Sequence, residues 1–254
     1  MNGRRDERVA LVTGGGKGVG AGVVKVLAEN GVRCCINCNS NPAMAEETLR
    51  AVETAGGEAF VYQADITDAA RLQAMVDAII DRWGRLDILV NNAAMQLNRF
   101  IDEYDYATLR RLWEINIGGY FHAARACLPH LRKSECGRIV NISSIHGKRP
   151  TGFDAGYAMT KGAIRMFTRE LALELYTDGI TVNAVDLGGC KIEFKTGNAP
   201  ISAYNPLDCH NPDMDGFRQV TPRDVGELVW FLCGPEASAI TGDGIRVDKG
   251  LILI

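Results

Sequence analysis

No apolar run in this 254-residue chain approaches the roughly 20 residues that span a bilayer. The opening MNGRRDER lacks the apolar segment of a signal peptide. Together these lead us to expect a cytoplasmic protein with no membrane partner. An excess of one charge is also missing. The 28 Lys and Arg stand against 31 Asp and Glu, a formal net charge of −3, so nothing predicts a nucleic-acid partner. Clustered metal ligands are missing as well. Cys34, Cys35 and Cys38 lie in VRCCINCN, which reads as a buried strand, where Cys35 and Cys38 point to opposite faces. The other cysteines are scattered, and only Cys209 has a histidine beside it, so free buried thiols are expected and no metal site. The chain has no internal repeat, no low-complexity segment, no Gly-x-Ser-x-Gly elbow and no Gly-Lys-Ser/Thr phosphate loop.

What is present is alternation. Strand-like apolar runs occur at Arg8–Thr13, Arg33–Cys38, Glu58–Gln63, Leu86–Asn91, Arg138–Ser143, Thr181–Leu187 and Ile245–Asp248. Helix-period segments lie between them, and GAGVVKVLAENG, PAMAEETLRAVETAGG and DAARLQAMVDAIIDRWG all end in glycine. Thr67 or Asp68 is placed to cap the third. This order predicts an α/β fold, a doubly wound parallel sheet of Rossmann-like type in a single domain over 1–254. Ligands in such a fold sit beyond the carboxyl ends of the strands. One irregular stretch, about 188–221, holds three of the eight prolines and reads as a substrate loop.

TGGGKGVG, Thr13–Gly20, follows the first strand and opens the first helix. Such a loop aims backbone N–H groups at one point, where a pyrophosphate fits; a tight turn needing positive φ reads equally from the glycines alone. The second strand ends in Cys38, Asn39, Ser40 and Asn41, without the carboxylate that would hold an unmodified ribose. With Lys17 in the loop this favours NADP(H) over NAD(H), unless Lys17 is only a solvated surface residue.

Tyr157 and Lys161 stand four apart in a helical segment, on one face. A nearby ammonium favours a phenolate, so the pair suits acid–base work on a carbonyl or alcohol oxygen; a plain helix-surface pair is the alternative. GRIVNISS brings Ser143 and Ser144 to the ligand side of the sheet, where a hydroxyl can bond the same oxygen.

With these pieces in place, the chain resembles the compact short-chain dehydrogenases/reductases. The matching segments are TGGGKGVG, Asp65 in QADIT, NNAA from Asn91, Asn116 in WEINIGG, Ser144 and YAMTK, in the family's order from Val9 to Gly250. The resemblance implies hydride transfer between a nicotinamide and a carbonyl or secondary alcohol. It makes Asn116, Ser144, Tyr157 and Lys161 catalytic, with Asn116 placing a relay water and Lys161 binding the ribose while depressing the Tyr157 pKa. It implies cofactor contacts at Gly14, Lys17, Gly18, Val19, Gly20, Asn39, Ser40, Asp65, Ile66, Asn91, Tyr157, Lys161 and Gly188, and a homotetramer built on Tyr106–Leu131 and Ala155–Tyr176. The chain departs from the family pattern at Leu187, Ile192, Ala94 and Lys249, where proline, threonine, glycine and glycine are usual. His146, Lys191 and Glu193 are expected to line a polar substrate pocket, with Asp154 and Arg99 as further candidates. SSIHGKRP is similar to the corresponding segment of sugar-oxidising members, which favours a polar, polyhydroxylated substrate. A silent nucleotide-binding scaffold or sensor with the same fold is the alternative.

Overall fold

Seven parallel strands form one sheet in the order β3-β2-β1-β4-β5-β6-β7. They are β1 (Val9–Val12), β2 (Arg33–Cys38), β3 (Ala59–Gln63), β4 (Ile88–Asn91), β5 (Arg138–Ser144), β6 (Thr181–Leu187) and β7 (Gly244–Val247). The computed structural model describes residues 6–150, 152, 154–191 and 220–253. All seven expected strands are present, with ends moved by at most two residues at either side.

Burial on both faces explains why the strands read as continuous apolar runs. Alternate residues of β1 serve different cores. Ala10 and Val12 join the layer under α1 (Gly18–Glu29) and α7 (Pro222–Cys233). Val9 and Leu11 join the layer under α3 (Ala69–Trp83) and α5 (Gly119–Leu131). The cysteines of β2 divide the same way, Cys34 and Cys38 on one side and Cys35 on the other.

Helix boundaries follow local chemistry. Asp68 caps α3 by accepting from the Ala70 and Arg71 amides at 3.0 Å, and Gly84 ends it in the left-handed region at φ 73. Asn41 caps α2 (Pro42–Thr54), whose first residue is proline. The segment expected as one helix from Tyr106 to Leu131 is instead α4 (Tyr106–Trp113), a π turn at Glu114–Gly118 and α5. The wider turn seats Asn116 inward, where its side chain bonds backbone outside the helix. α6 (Ala155–Glu174) is unbroken and lies against β5 and β6.

The first and last helices meet backbone to backbone. A Cβ on Gly22 would come 2.4 Å from the Pro222 carbonyl oxygen. Gly22→Ala is therefore expected to destabilise the fold by about 1–3 kcal/mol through overpacking. Gly162→Ala, in α6 with open space around the added carbon, should instead stabilise by about 0.5–1 kcal/mol. Urea unfolding of both variants checks this, and equal midpoints would refute it.

Candidate active site

The carboxyl ends of β1, β4 and β5 bring the chemistry-bearing residues to one edge. At the first, Gly14 and Gly18 turn the chain through positive φ, 62° and 54°, which side chains resist. The loop is stitched from below. The Gly14 amide donates to Asn37 Oδ1 at 3.1 Å, and Asn92 Nδ2 donates to the Thr13 and Gly14 carbonyls at 2.9 and 3.1 Å. Lys17 is the extended N-cap residue of α1, exposed, and its side chain does not cap the helix. Val19 is half-buried and Gly20 buried against the Gly14 carbonyl. The first amides of α1 thus face the edge where a pyrophosphate would be held.

The neighbouring strand end is polar and uncharged. Asn39 and Ser40 are both exposed, as the sequence suggests. Asp65 lies beyond β3 with both oxygens engaged. Oδ1 accepts from the Thr67 amide and hydroxyl at 2.9 and 2.8 Å, and Oδ2 from Arg111 at 2.6 Å and Asn39 at 3.2 Å. Burial alone would raise this carboxyl, but the bonds from Thr67 and Arg111 outweigh it and hold it below the usual range. Ile66 is buried, its side chain packed over Gly119.

At β4, Asn91 is fully buried and donates to Asn141 Oδ1 at 2.9 Å, and Asn141 donates to Thr168 Oγ1 at 3.0 Å. This polar file ties β4 through β5 to α6. Asn116 forms a reciprocal pair with Met95: it accepts from the Met95 amide at 2.8 Å and donates to the Met95 carbonyl at 2.9 Å. Its amide also reaches Thr160 Oγ1 at 3.1 Å, one residue before Lys161.

Ser144, Tyr157 and Lys161 converge. Ser144 ends β5; its hydroxyl donates to the Leu187 carbonyl at 3.3 Å and accepts from the His146 amide at 3.2 Å. Lys161 Nζ donates to the Ile142 carbonyl at 2.8 Å and stands 5.3 Å from the centre of the Tyr157 ring. Burial pushes Lys161 down to about 7, with Asp186 acting the other way. Burial raises Tyr157 well above its ordinary value, opposed by nearby Ser144 and helped by Asp154. The expected depression of Tyr157 is therefore not seen here. The ammonium lies over the ring and is committed to a carbonyl, and desolvation wins. The hydroxyl keeps its proton.

The substrate-side residues divide. His146 sits in the turn after β5 with its ring edge-on to Tyr157, centroids 5.4 Å apart. Burial lowers its pKa, Asp154 opposes, and Lys161 lowers it further, so the imidazole is neutral near pH 7. Gly188 donates to the Val247 carbonyl at 2.9 Å, and Lys191 is exposed, its amide donating to the Val220 carbonyl at 2.8 Å. Most of the 188–221 stretch, with Ile192 and Glu193, lies outside the described residues; its two ends meet in a parallel bridge, Cys190 to Val220. Asp154 does not line a pocket. It is fully buried and caps α6. Arg111 and Asn37 were not signalled by any motif, because each acts on residues 23 to 46 positions away.

The short chain dehydrogenase family model matches residues 8–200. Glucose 1-dehydrogenase 2 of Bacillus subtilis (strain 168) is 31% identical over 248 residues, covering 97% of this chain and 95% of that one. A short-chain dehydrogenase/reductase from Serratia marcescens BCRC 10948 superposes with a TM-score of 0.85 at 32% identity, covering 97% and 98% of the two chains. A short chain dehydrogenase from Burkholderia cenocepacia J2315, solved in complex with NADP, gives 0.86 at 30% identity over 98% and 99%. The chain belongs to the short-chain dehydrogenase/reductase family, oxidoreductases that act on CH–OH and C=O groups.

Proposed function

We propose that this protein is an NADP(H)-dependent oxidoreductase that interconverts a carbonyl compound and a secondary alcohol, with Tyr157 as its acid–base group. The observation that carries the reading is the meeting of the Ser144 and Tyr157 hydroxyls with the Lys161 ammonium beside the tyrosine ring. The nicotinamide, when bound, supplies or takes up the hydride. Ser144 orients the substrate oxygen. Tyr157, which holds its proton, donates it to that oxygen in reduction and receives it in oxidation. Lys161, poised close to neutrality, binds the nicotinamide ribose and exchanges protons with the tyrosine through a relay that Asn116 helps to place. Asn91 and Asn141 keep β4, β5 and α6 in register beneath these groups.

The residues present fit the dinucleotide. Positive-φ glycines let the chain turn sharply into α1, and the helix amides follow. Gly188 belongs to the nicotinamide side and Asp65 and Ile66 to the adenine side. The second strand itself ends without a carboxylate, the Asp65 carboxylate beside Asn39 is paired with Arg111, and Lys17, Asn39 and Ser40 are exposed polar groups of that region. A polar, polyhydroxylated substrate is favoured by the neutral His146 against Tyr157 and by exposed Lys191; the glucose dehydrogenase relative supports the same choice.

Tyr157→Phe should lower turnover about 10²- to 10⁴-fold while NADPH binding holds, in an assay ranking aldoses and polyols ahead of steroid ketones. Turnover at the wild-type rate in that variant would sink the assignment. NADPH binding by wild type with no turnover of any compound would favour the silent scaffold instead.

Lys17→Ala should cut the ratio of NADPH to NADH affinity about tenfold, loss of one charge-assisted bond. Titration by cofactor fluorescence measures it, and an unchanged ratio removes Lys17 from the phosphate site. A homotetramer belongs to the same reading, supported by exposed Phe121 on α5 and Met166 on α6. Light scattering is expected to give four chains per particle, and a monomer would contradict it.

A further inference from the structure

Asp154 is fully buried, and its carboxylate gathers four donors. Oδ1 accepts from the Tyr157 amide at 3.2 Å and from the Tyr104 hydroxyl. Oδ2 accepts from the Leu97 and Asn98 amides at 3.3 and 2.8 Å. Its own amide donates to the Arg99 carbonyl at 3.0 Å. To make these bonds Asp154 takes left-handed backbone, φ 62, and Asn98 does the same at φ 54. Both residue types tolerate that region better than most, though at some cost.

Tyr104 closes the arrangement from the other side. Its ring lies on the first turn of α6, where a Cβ on Gly156 would come 2.9 Å from it. Burial, and then Asp154, push the Tyr104 hydroxyl well above its usual pKa, with Arg99 opposing, so it remains a donor. The opposite end of the same segment is held by the reciprocal pair of Met95 with Asn116. Residues 95–104 are thus tied at one end to Asn116 and at the other to the cap of the helix that carries Tyr157.

We propose that Tyr104 and Asp154 form a clamp of positioning residues that sets the Met95–Phe100 segment as a wall of the substrate site, which makes Tyr104 specificity-determining for the carbonyl or alcohol substrate. This rests on the functional reading above. Neither residue touches the adenine side, where Asp65 is held by Thr67 and Arg111. The clamp therefore acts on substrate recognition and leaves cofactor affinity alone.

Tyr104→Phe is the cleanest test, since it keeps the ring on Gly156 and removes only the hydroxyl. Amides from Leu97 to Tyr104 should exchange about tenfold faster, and KM for the best-used member of a fixed panel should rise about tenfold. The panel is an aldose, an aliphatic α-hydroxyketone and an aryl ketone. The fall in kcat should be smaller, the ranking of the panel should change, and NADPH affinity should stay within about twofold. Asp154→Asn, which still caps Tyr157 but turns one acceptor into a donor, should reproduce the rise in KM. Wild-type exchange and wild-type KM in Tyr104→Phe would overturn the clamp. So would an equal loss of NADPH affinity, which marks general loosening. Tyr157→Phe runs alongside. If it turns over normally the functional reading fails, and hydrogen exchange in Tyr104→Phe still decides the clamp.

Discussion

Covering the sheet on both faces is the constraint from which the rest of this structure follows. Once helices bury both sides, strand backbones are satisfied only within the ladder, and the chain becomes polar again where strands end. The groups leaving β1, β4 and β5 must then be paired by a few buried or half-buried side chains. Thr13, Asn37, Asn92 and Asn116 do this work. Thr13 Oγ1 accepts from the Asn92 and Ala93 amides at 2.9 and 3.1 Å, and Asn37 and Asn92 hold the glycine loop from opposite sides. The glycine loop is therefore held in shape from below by the fold itself, which lowers the ordering cost of any ligand it takes up.

The same burial sets the electrostatics. Lys161 is among the largest fully buried side chains, and desolvation moves its pKa toward neutrality while moving that of Tyr157 away from it. A tyrosine that keeps its proton and a lysine that gives one up near pH 7 form a pair whose combined proton count changes easily. Asp186 opposes the shift in Lys161, but its carboxylate is shared with Arg165, so it does not restore a full-strength ammonium. The protonation of Tyr157 is thus governed by how dry the α6–β5 junction is, with Ser144 acting against the burial.

Legibility in the sequence tracks the range of the interaction. Strands were readable because two-sided burial writes an apolar run, and α3 because Asp68 and Gly84 mark its ends within a single turn. Ser144, Tyr157 and Lys161 were readable because a strand end and a four-residue helical spacing bring them together locally, and the resemblance added Asp65 and Asn116. The π turn at Glu114–Gly118 holds no proline, and Gly118 and Gly119 alone do not mark where it falls; from within it Asn116 reaches Met95. Arg111 and Tyr104 act across 46 and 50 positions, and nothing in their immediate neighbours distinguishes them from surface residues. Asp154 was visible as a charge near the site, but only the fold turns it inward.

Two of the four departures from the family pattern, Lys249 and Leu187, also resolve into backbone chemistry. Lys249 has φ 47, a conformation that glycine adopts without strain, so the usual glycine there reflects the turn. Asp248 offsets part of that cost: its carboxylate accepts from the Gly250 and Ile252 amides at 3.0 and 3.2 Å, locking the turn around Lys249. Leu187 has the opposite effect. A proline would bring no N–H to the ladder, whereas Leu187 stays in register with Ser144 on one side and Val247 on the other. β6 thereby runs alongside the last residue of β5, and the Leu187 carbonyl becomes the acceptor of the Ser144 hydroxyl. A proline carbonyl could accept the same bond, so what the leucine adds at this place is its N–H and one more paired residue at the edge of the sheet beside Ser144.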